Sequence, residues 1–148
     1  MKAQIPEEIK DWIFSLSKGI LGEEKLPLCP WAKKSLLEGS VDFWVDEFPP
    51  SLIPLPPEIK VRIVHLPQRS HQNLIEIRDL SNASSEEFVF LESHPDDSEL
   101  IGGVKSVSDL SLILIQRREE LQEARKFLTK TNYYEYWNPE TLDKILSI

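Results

Sequence analysis

Apolar residues recur along this chain with two different periods, and the switches between them mark its elements. Ile9, Trp12, Ile13 and Leu16 fall three and four apart, the spacing of one helix face. Pro6 suits a first helical position, Glu7 and Glu8 suit the positive helix start, and Gly19 suits a helix end. Residues 6–18 are therefore predicted to be helical. A second, shorter helix is expected from Pro30 to near Gly39. From Ser40 to Glu47 the period drops to two, with Val41, Phe43 and Val45 on one side and Asp42, Trp44 and Asp46 on the other, which predicts a strand.

Ile59 to Leu66 repeats that pattern. Ile59, Val61, Ile63 and His65 share a face opposite Lys60 and Arg62, and His65 reads as a packed histidine rather than a ligand. Ser70 to Ala83 suits two periods. Leu74, Ile77 and Leu80 fit a helix while Ile75 and Ile77 would fit a strand, and the helix is preferred. Glu87–Glu92 and Leu110–Gln116 are near-continuous apolar runs, expected to be central strands covered on both faces. Arg117–Thr129 follows as a helix with Leu121, Ala124 and Leu128 in its stripe. A last short helix is expected after Asn138-Pro139, burying Leu142, Ile145 and Leu146.

Between the first two strands, Phe48–Pro57 carries five prolines. Proline cannot donate to a ladder, so this stretch is predicted to be an extended connection, with Leu52, Ile53 and Leu55 packing on the surface. From residue 40 the order is strand, strand, helix, strand, strand, helix, helix. That order predicts a single α+β domain: a small mixed sheet of about four strands, split βαβ-like, with N- and C-terminal helices packed against it. Residues 1–39 form its helical N-terminal segment, 40–130 the sheet core, and 131–148 an aromatic segment with the C-terminal helix.

Composition narrows the class. At 148 residues, 41% hydrophobic and 28% charged, the chain can bury a core of its own. Its longest apolar run, Leu112–Ile115, is far short of the ~20 residues that span a bilayer, and no membrane association is expected. Met1-Lys-Ala-Gln-Ile-Pro has no apolar stretch behind Lys2, so no secretory signal is expected. One cysteine, Cys29, fits a reducing, cytoplasmic setting. The net charge is −8, and residues 86–99 hold six carboxylates and no Lys or Arg. That balance disfavours nucleic acid as a partner. Arg117, Arg118, Arg125, Lys126 and Lys130 are interleaved with Glu119, Glu120 and Glu123, the pattern of a solvated helix face.

Three places carry candidate chemistry. The first is His94-Pro-Asp96-Asp97-Ser-Glu99 with Gly102-Gly103, set at the end of a predicted strand. An imidazole and a carboxylate there could bind zinc while a second carboxylate takes a proton. The competing reading, an acidic turn in which Pro95 and Asp96 are turn formers and the glycines let the chain reverse, is preferred. The second is Cys29. If the helix begins at Pro30, this thiol sits at its cap, where amide dipoles and the nearby Lys33 and Lys34 would lower its pKa; the competing reading, a small half-buried residue at a helix start with Trp31 as a packing anchor, is preferred. The third is Thr131–Trp137, which holds Tyr133, Tyr134, Tyr136 and Trp137. Those rings suit an interface with a protein partner or the base of a small core.

His94-Pro-Asp96-Asp97 resembles the opening motif of the zinc-dependent N-acetylglucosaminyl deacetylases. The resemblance implies His94 and Asp97 as zinc ligands and Asp96 as the base that activates bound water. The chain departs from that pattern: Ser98 precedes the Glu, only 45 residues follow Gly103, and no histidine lies beyond His94 to act as third ligand. His65 or His71 could supply one only from upstream, in a different fold. Leu28-Cys29-Pro30-Trp31-Ala32, after a helix containing Trp12, resembles an uncharacterised bacterial family with a Leu-Cys-Pro-Phe-Ala signature. Phe90–Asp96, Leu114–Arg117 and Ala124 to Tyr134 are similar to small proteins of marine cyanobacteria and their phages. Neither likeness implies an activity. The expected function is that of a non-catalytic protein-interaction or ligand-binding domain with no required cofactor. The alternative is a small enzyme, using zinc at His94, Asp96 and Asp97 or the thiol of Cys29.

Overall fold

A computed structural model of the chain describes residues 1–21, 26–27, 29, 31–45, 55–98, 100–101, 104–105, 107–131, 133–137 and 139–147. In chain order the elements are β1 (Lys2–Ala3), α1 (Glu7–Leu16), β2 (Gly19–Leu21), β3 (Leu26–Pro27), α2 (Ala32–Leu37), β4 (Val41–Val45), β5 (Val61–His65) and α3 (His71–Ser84). They continue with β6 (Phe88–Ser93), β7 (Leu100–Ile101), β8 (Val104–Lys105), β9 (Leu112–Arg117), α4 (Arg118–Thr129), a 3₁₀ turn at Tyr133–Tyr136 and α5 (Pro139–Leu146). Pro6 stands just outside α1 with extended ψ, one residue earlier than expected. Helix α2 stops at Gly39, whose φ of +72° puts it in the left-handed region. There Gly39 N–H bonds Leu36 C=O and Ser40 N–H bonds Ser35 C=O, a Schellman ending.

Five strands make one mixed sheet in the order β1-β4-β5-β9-β6. β4 and β5 are parallel, while β9 runs antiparallel to both of its neighbours. Strands β5 and β6 are therefore parallel to each other, joined through α3, with β9 inserted between them. That is the split βαβ arrangement expected from the order of elements, with one strand more than predicted. The addition, β1, is two residues long and pairs with Phe43 and Trp44 of β4, too short to leave a periodic signal.

The sheet has one helical layer on each face. Val64, Phe90, Ile113 and Ile115 meet Leu74 and Ile77 of α3 on one side. Phe43, Ile63 and Leu112 meet Ile9 and Ile13 of α1 on the other. Leu80 and Leu146, both expected to be buried, are exposed. The buried face of α3 turns instead through Arg78.

Strand β6 corrects a second expectation, for it lies at the sheet edge and not in its centre. Its apolar run reports cover on both faces, which an edge strand can also have. The unpaired edge is closed by side chains. The Asn82 amide donates to Phe90 C=O at 2.8 Å and accepts from Phe90 N–H at 2.8 Å. Ser85 Oγ accepts from Phe88 N–H and the Arg118 guanidinium donates to Phe88 C=O. Asn82 thus occupies the place of a neighbouring strand, and the edge does not offer these groups to another chain. Asn82→Ala should cost about 2 kcal/mol, since it strips both bonds from a part-buried backbone. Urea unfolding measures the loss, and faster amide exchange at Phe90 should accompany it. A loss under about 0.5 kcal/mol would mean that water replaces the amide without penalty.

Candidate functional site

Two features come together around the far halves of the sheet. One is a polar cluster at the end of β6. Phe88, Phe90 and Glu92 share the face covered by α3, as the register with Arg117, Ile115 and Ile113 requires. Glu92 is therefore carried inward at the end of an apolar row, and its side chain is only 5% exposed. Arg78 Nη1 donates to Glu92 Oε1 at 3.0 Å, and His71 Nε2 lies 3.3 Å from Glu92 Oε2. The next turn brings Asp97 Oδ2 to 3.8 Å from the same His71 nitrogen. That turn is fixed by a bond from Asp97 N–H to His94 C=O. Helix α3 starts cleanly at His71 because the Ser70 hydroxyl accepts from Asn73 N–H.

His94 plays a different part from the one its motif implies. Its Nδ1 accepts from Asp96 N–H at 3.0 Å, and its Nε2 faces Arg69 C=O at 2.9 Å. An amide can only donate and a carbonyl can only accept, so the ring is the Nε2–H tautomer with both nitrogens engaged. His94 is thus committed to holding its own loop, and its ring stacks on His71 with centroids 5.6 Å apart. The side chain of Asp96 is largely exposed. Among the described residues, those grouped to hold a metal ion are His71, Glu92 and Asp97, each with one donor atom within 4.8 Å of the others. Asp97 and, as an upstream histidine, His71 were legible in the sequence; Glu92 was missed. Its signal was the pairing of Phe88, Phe90 and Glu92 on one strand face. Glu99, Gly102 and Gly103 of the motif lie outside the described residues.

The second feature is a cleft of about 420 Å³ on the opposite face of the sheet. Its floor is Val61, Ile63, Leu91, Leu114 and Gln116, one wall is α1 with Trp31, and the other is α4 with the 3₁₀ turn. Leu121, Ala124 and Leu128, the predicted stripe of α4, all line it. At its far end the lining reaches Glu92 and Asp97, so the two features adjoin. Tyr133 is buried, and its ring packs on Tyr134 at 5.2 Å and Trp137 at 5.8 Å. Together they join Leu128, Leu16 and Trp31 in a third apolar cluster. Three of the four rings offered as an interaction patch are thereby turned inward; the side chain of Tyr136 lies outside the described residues.

Burial governs the titrating groups here. It pushes the Tyr133 hydroxyl far above its ordinary range and raises that of Tyr134, with Arg125 opposing the second shift. The Cys29 thiol adds to the Tyr133 shift, and a hydrogen bond with the Trp137 side chain opposes it. Cys29 also lines the cleft. Burial raises its thiol pKa, and hydrogen bonding from the Trp31 and Ala32 amides only partly opposes this. That is opposite to the activation a thiol at the helix cap would show, and agrees with a half-buried packing residue. The cap of α2 is Trp31, not Cys29; two amides do reach the sulfur, but burial outweighs them, and Pro30 lies outside the described residues. His65 packs obliquely on Phe43, and burial lowers its pKa.

Among the described residues, no helix is long and apolar enough to cross a membrane. No family model, curated protein or solved structure matches the chain, so function must be read from this geometry.

Proposed function

We propose that the chain is a non-catalytic ligand-binding domain, which holds a small, largely apolar molecule in the cleft between the sheet and α4. The observation that carries this reading is Gln116 Oε1, a buried amide oxygen with no hydrogen-bond partner on an otherwise apolar floor. The rings of Tyr133, Tyr134 and Trp137 line the same cleft. A buried polar atom left unpaired costs about 1–3 kcal/mol, and a ligand with one N–H donor would satisfy this one. The volume is that of a small-molecule site. The raised pKa of the Cys29 thiol and the two engaged nitrogens of His94 favour binding over chemistry. The inward aromatic rings favour a small ligand over a protein surface, and the single buried thiol fits a cytoplasmic setting.

Naphthalene-2-carboxamide, with two fused rings and an amide, is a suitable probe. Its titration should shift the tryptophan fluorescence and the side-chain amide resonances of Gln116. In Gln116→Met the ligand-free protein should be more stable by about 1 kcal/mol, because the unpaired oxygen is gone, while the probe binds at least several-fold more weakly. A variant that loses stability and binds the probe unchanged would sink the reading.

A further inference from the structure

We propose that His71, Glu92 and Asp97 form a site for one divalent transition-metal ion of the zinc class, independently of whatever the cleft binds. The donors come from three elements: the first turn of α3, the last residues of β6 and the turn that follows. His71 Nε2 stands 3.3 Å from Glu92 Oε2 and 3.8 Å from Asp97 Oδ2. In a tetrahedral site with bonds of about 2.0–2.1 Å, neighbouring donors are about 3.3 Å apart. The imidazole therefore already stands near that spacing from each carboxylate, and all three donors lie within 4.8 Å of one another. An ion bound at Nε2 uses that nitrogen's lone pair, so the ligating imidazole carries its one proton on Nδ1.

The surroundings hold these donors in position. Arg78 takes the other oxygen of Glu92 at 3.0 Å, which turns Oε2 towards His71. His94, locked by Arg69 and Asp96, stacks on the His71 ring and limits its rotation. Such outer contacts orient metal ligands and are worth 10–100-fold in affinity in known sites. The imidazole selects zinc or cobalt over calcium and magnesium, which take oxygen donors. Three protein donors leave a fourth position open. Glu92 and Asp97 are also among the residues that line the cleft.

The test is titration of the purified chain with zinc by calorimetry and with cobalt(II) by visible absorption, repeated on His71→Ala and Asp97→Asn. Circular dichroism and thermal melting confirm that each variant folds. The Asp97→Asn change keeps the side-chain shape on a turn, and serves should the His71 variant fail to fold. One ion per chain, with four-coordinate cobalt bands, is expected for the native protein. Each substitution should weaken binding on the order of a hundredfold. Absence of binding, binding that survives both substitutions, or an adventitious site elsewhere on the chain would overturn the assignment. Loss of metal binding with the naphthalene amide still bound leaves the cleft reading standing, and the converse result leaves this one.

Discussion

Arg62→Ala should destabilise the fold by about 4 kcal/mol, because it strands a buried carboxylate. Arg62 and Asp42 face each other across the parallel pair β4–β5, with side chains 6% and 4% exposed. Arg62 Nε donates to Asp42 Oδ1 at 3.1 Å and Nη2 donates to Oδ2 at 3.0 Å. Trp44 Nε1 adds a third donor at 3.2 Å, and the guanidinium carbon lies 4.8 Å from the Trp44 ring centre. The pair itself gains little over apolar residues of the same shape, since both charges have left water. Removing one partner is what costs. Arg62→Lys keeps the charge but cannot reproduce the planar fork or the stacking, so it should lose about half as much. The double variant Asp42→Leu, Arg62→Met should be closer to wild type than Arg62→Ala. Urea unfolding of the set decides it. If the single variant loses under about 1 kcal/mol, the pair is effectively solvated.

That ion pair shows how far the sequence could be read. The alternation of Val41, Phe43 and Val45 against Asp42 and Trp44, and of Val61 and Ile63 against Lys60 and Arg62, assigned every side chain to the correct face of its strand. It could not say that the polar face would be closed. Alternation reports which residues share a side, while the cover on that side depends on which strands become neighbours. The same gap explains β6: Phe88–Leu91 is apolar because both faces are covered, and nothing in such a run distinguishes an edge from a centre. Asn82 and Ser85, three to six residues upstream, were the available signal, as polar side chains close enough to cap a strand that has no partner. At the candidate metal site, the His-Pro-Asp-Asp motif points to the loop that carries Asp97, but the imidazole grouped with it is that of His71. A residue's spacing in a motif says nothing of what its ring nitrogens will meet. Arg69 C=O and Asp96 N–H claim both nitrogens of His94, and the free geometry passes to His71 one helix earlier.

Arg117→Ala should cost about 3 kcal/mol, for a reason tied to the proline-rich connection between β4 and β5. Adjacent parallel strands need a crossover, and a helix is the usual solution because it satisfies its own backbone. Between β4 and β5 the crossover is proline-rich, and proline brings carbonyls without matching N–H donors. The described part of it is held from outside. Arg117, at the end of β9, donates from Nη1 to Ile59 C=O at 2.7 Å and from Nη2 to Leu55 C=O at 3.0 Å and Pro56 C=O at 2.7 Å. Leu55 and Ile59 are themselves buried, so three carbonyls would lose a charged donor in a place poorly reached by water. Charge-assisted bonds are worth about 1.5–3 kcal/mol each when measured singly, and their shared donor makes the sum smaller than three times that. The neighbouring Arg118 does the same for Ser85, Glu86 and Phe88. The expected solvated basic face therefore begins with two arginines that act as backbone clamps. Arg117→Lys supplies one point charge in place of a fork and should recover less than half of the loss. Amide exchange should rise at Ile59 and at Lys60, whose N–H bonds Ser40 C=O at 2.7 Å, while β9 and β6 stay protected. Uniform loss of protection across the sheet would instead make Arg117 a general core residue, with no special hold on the crossover.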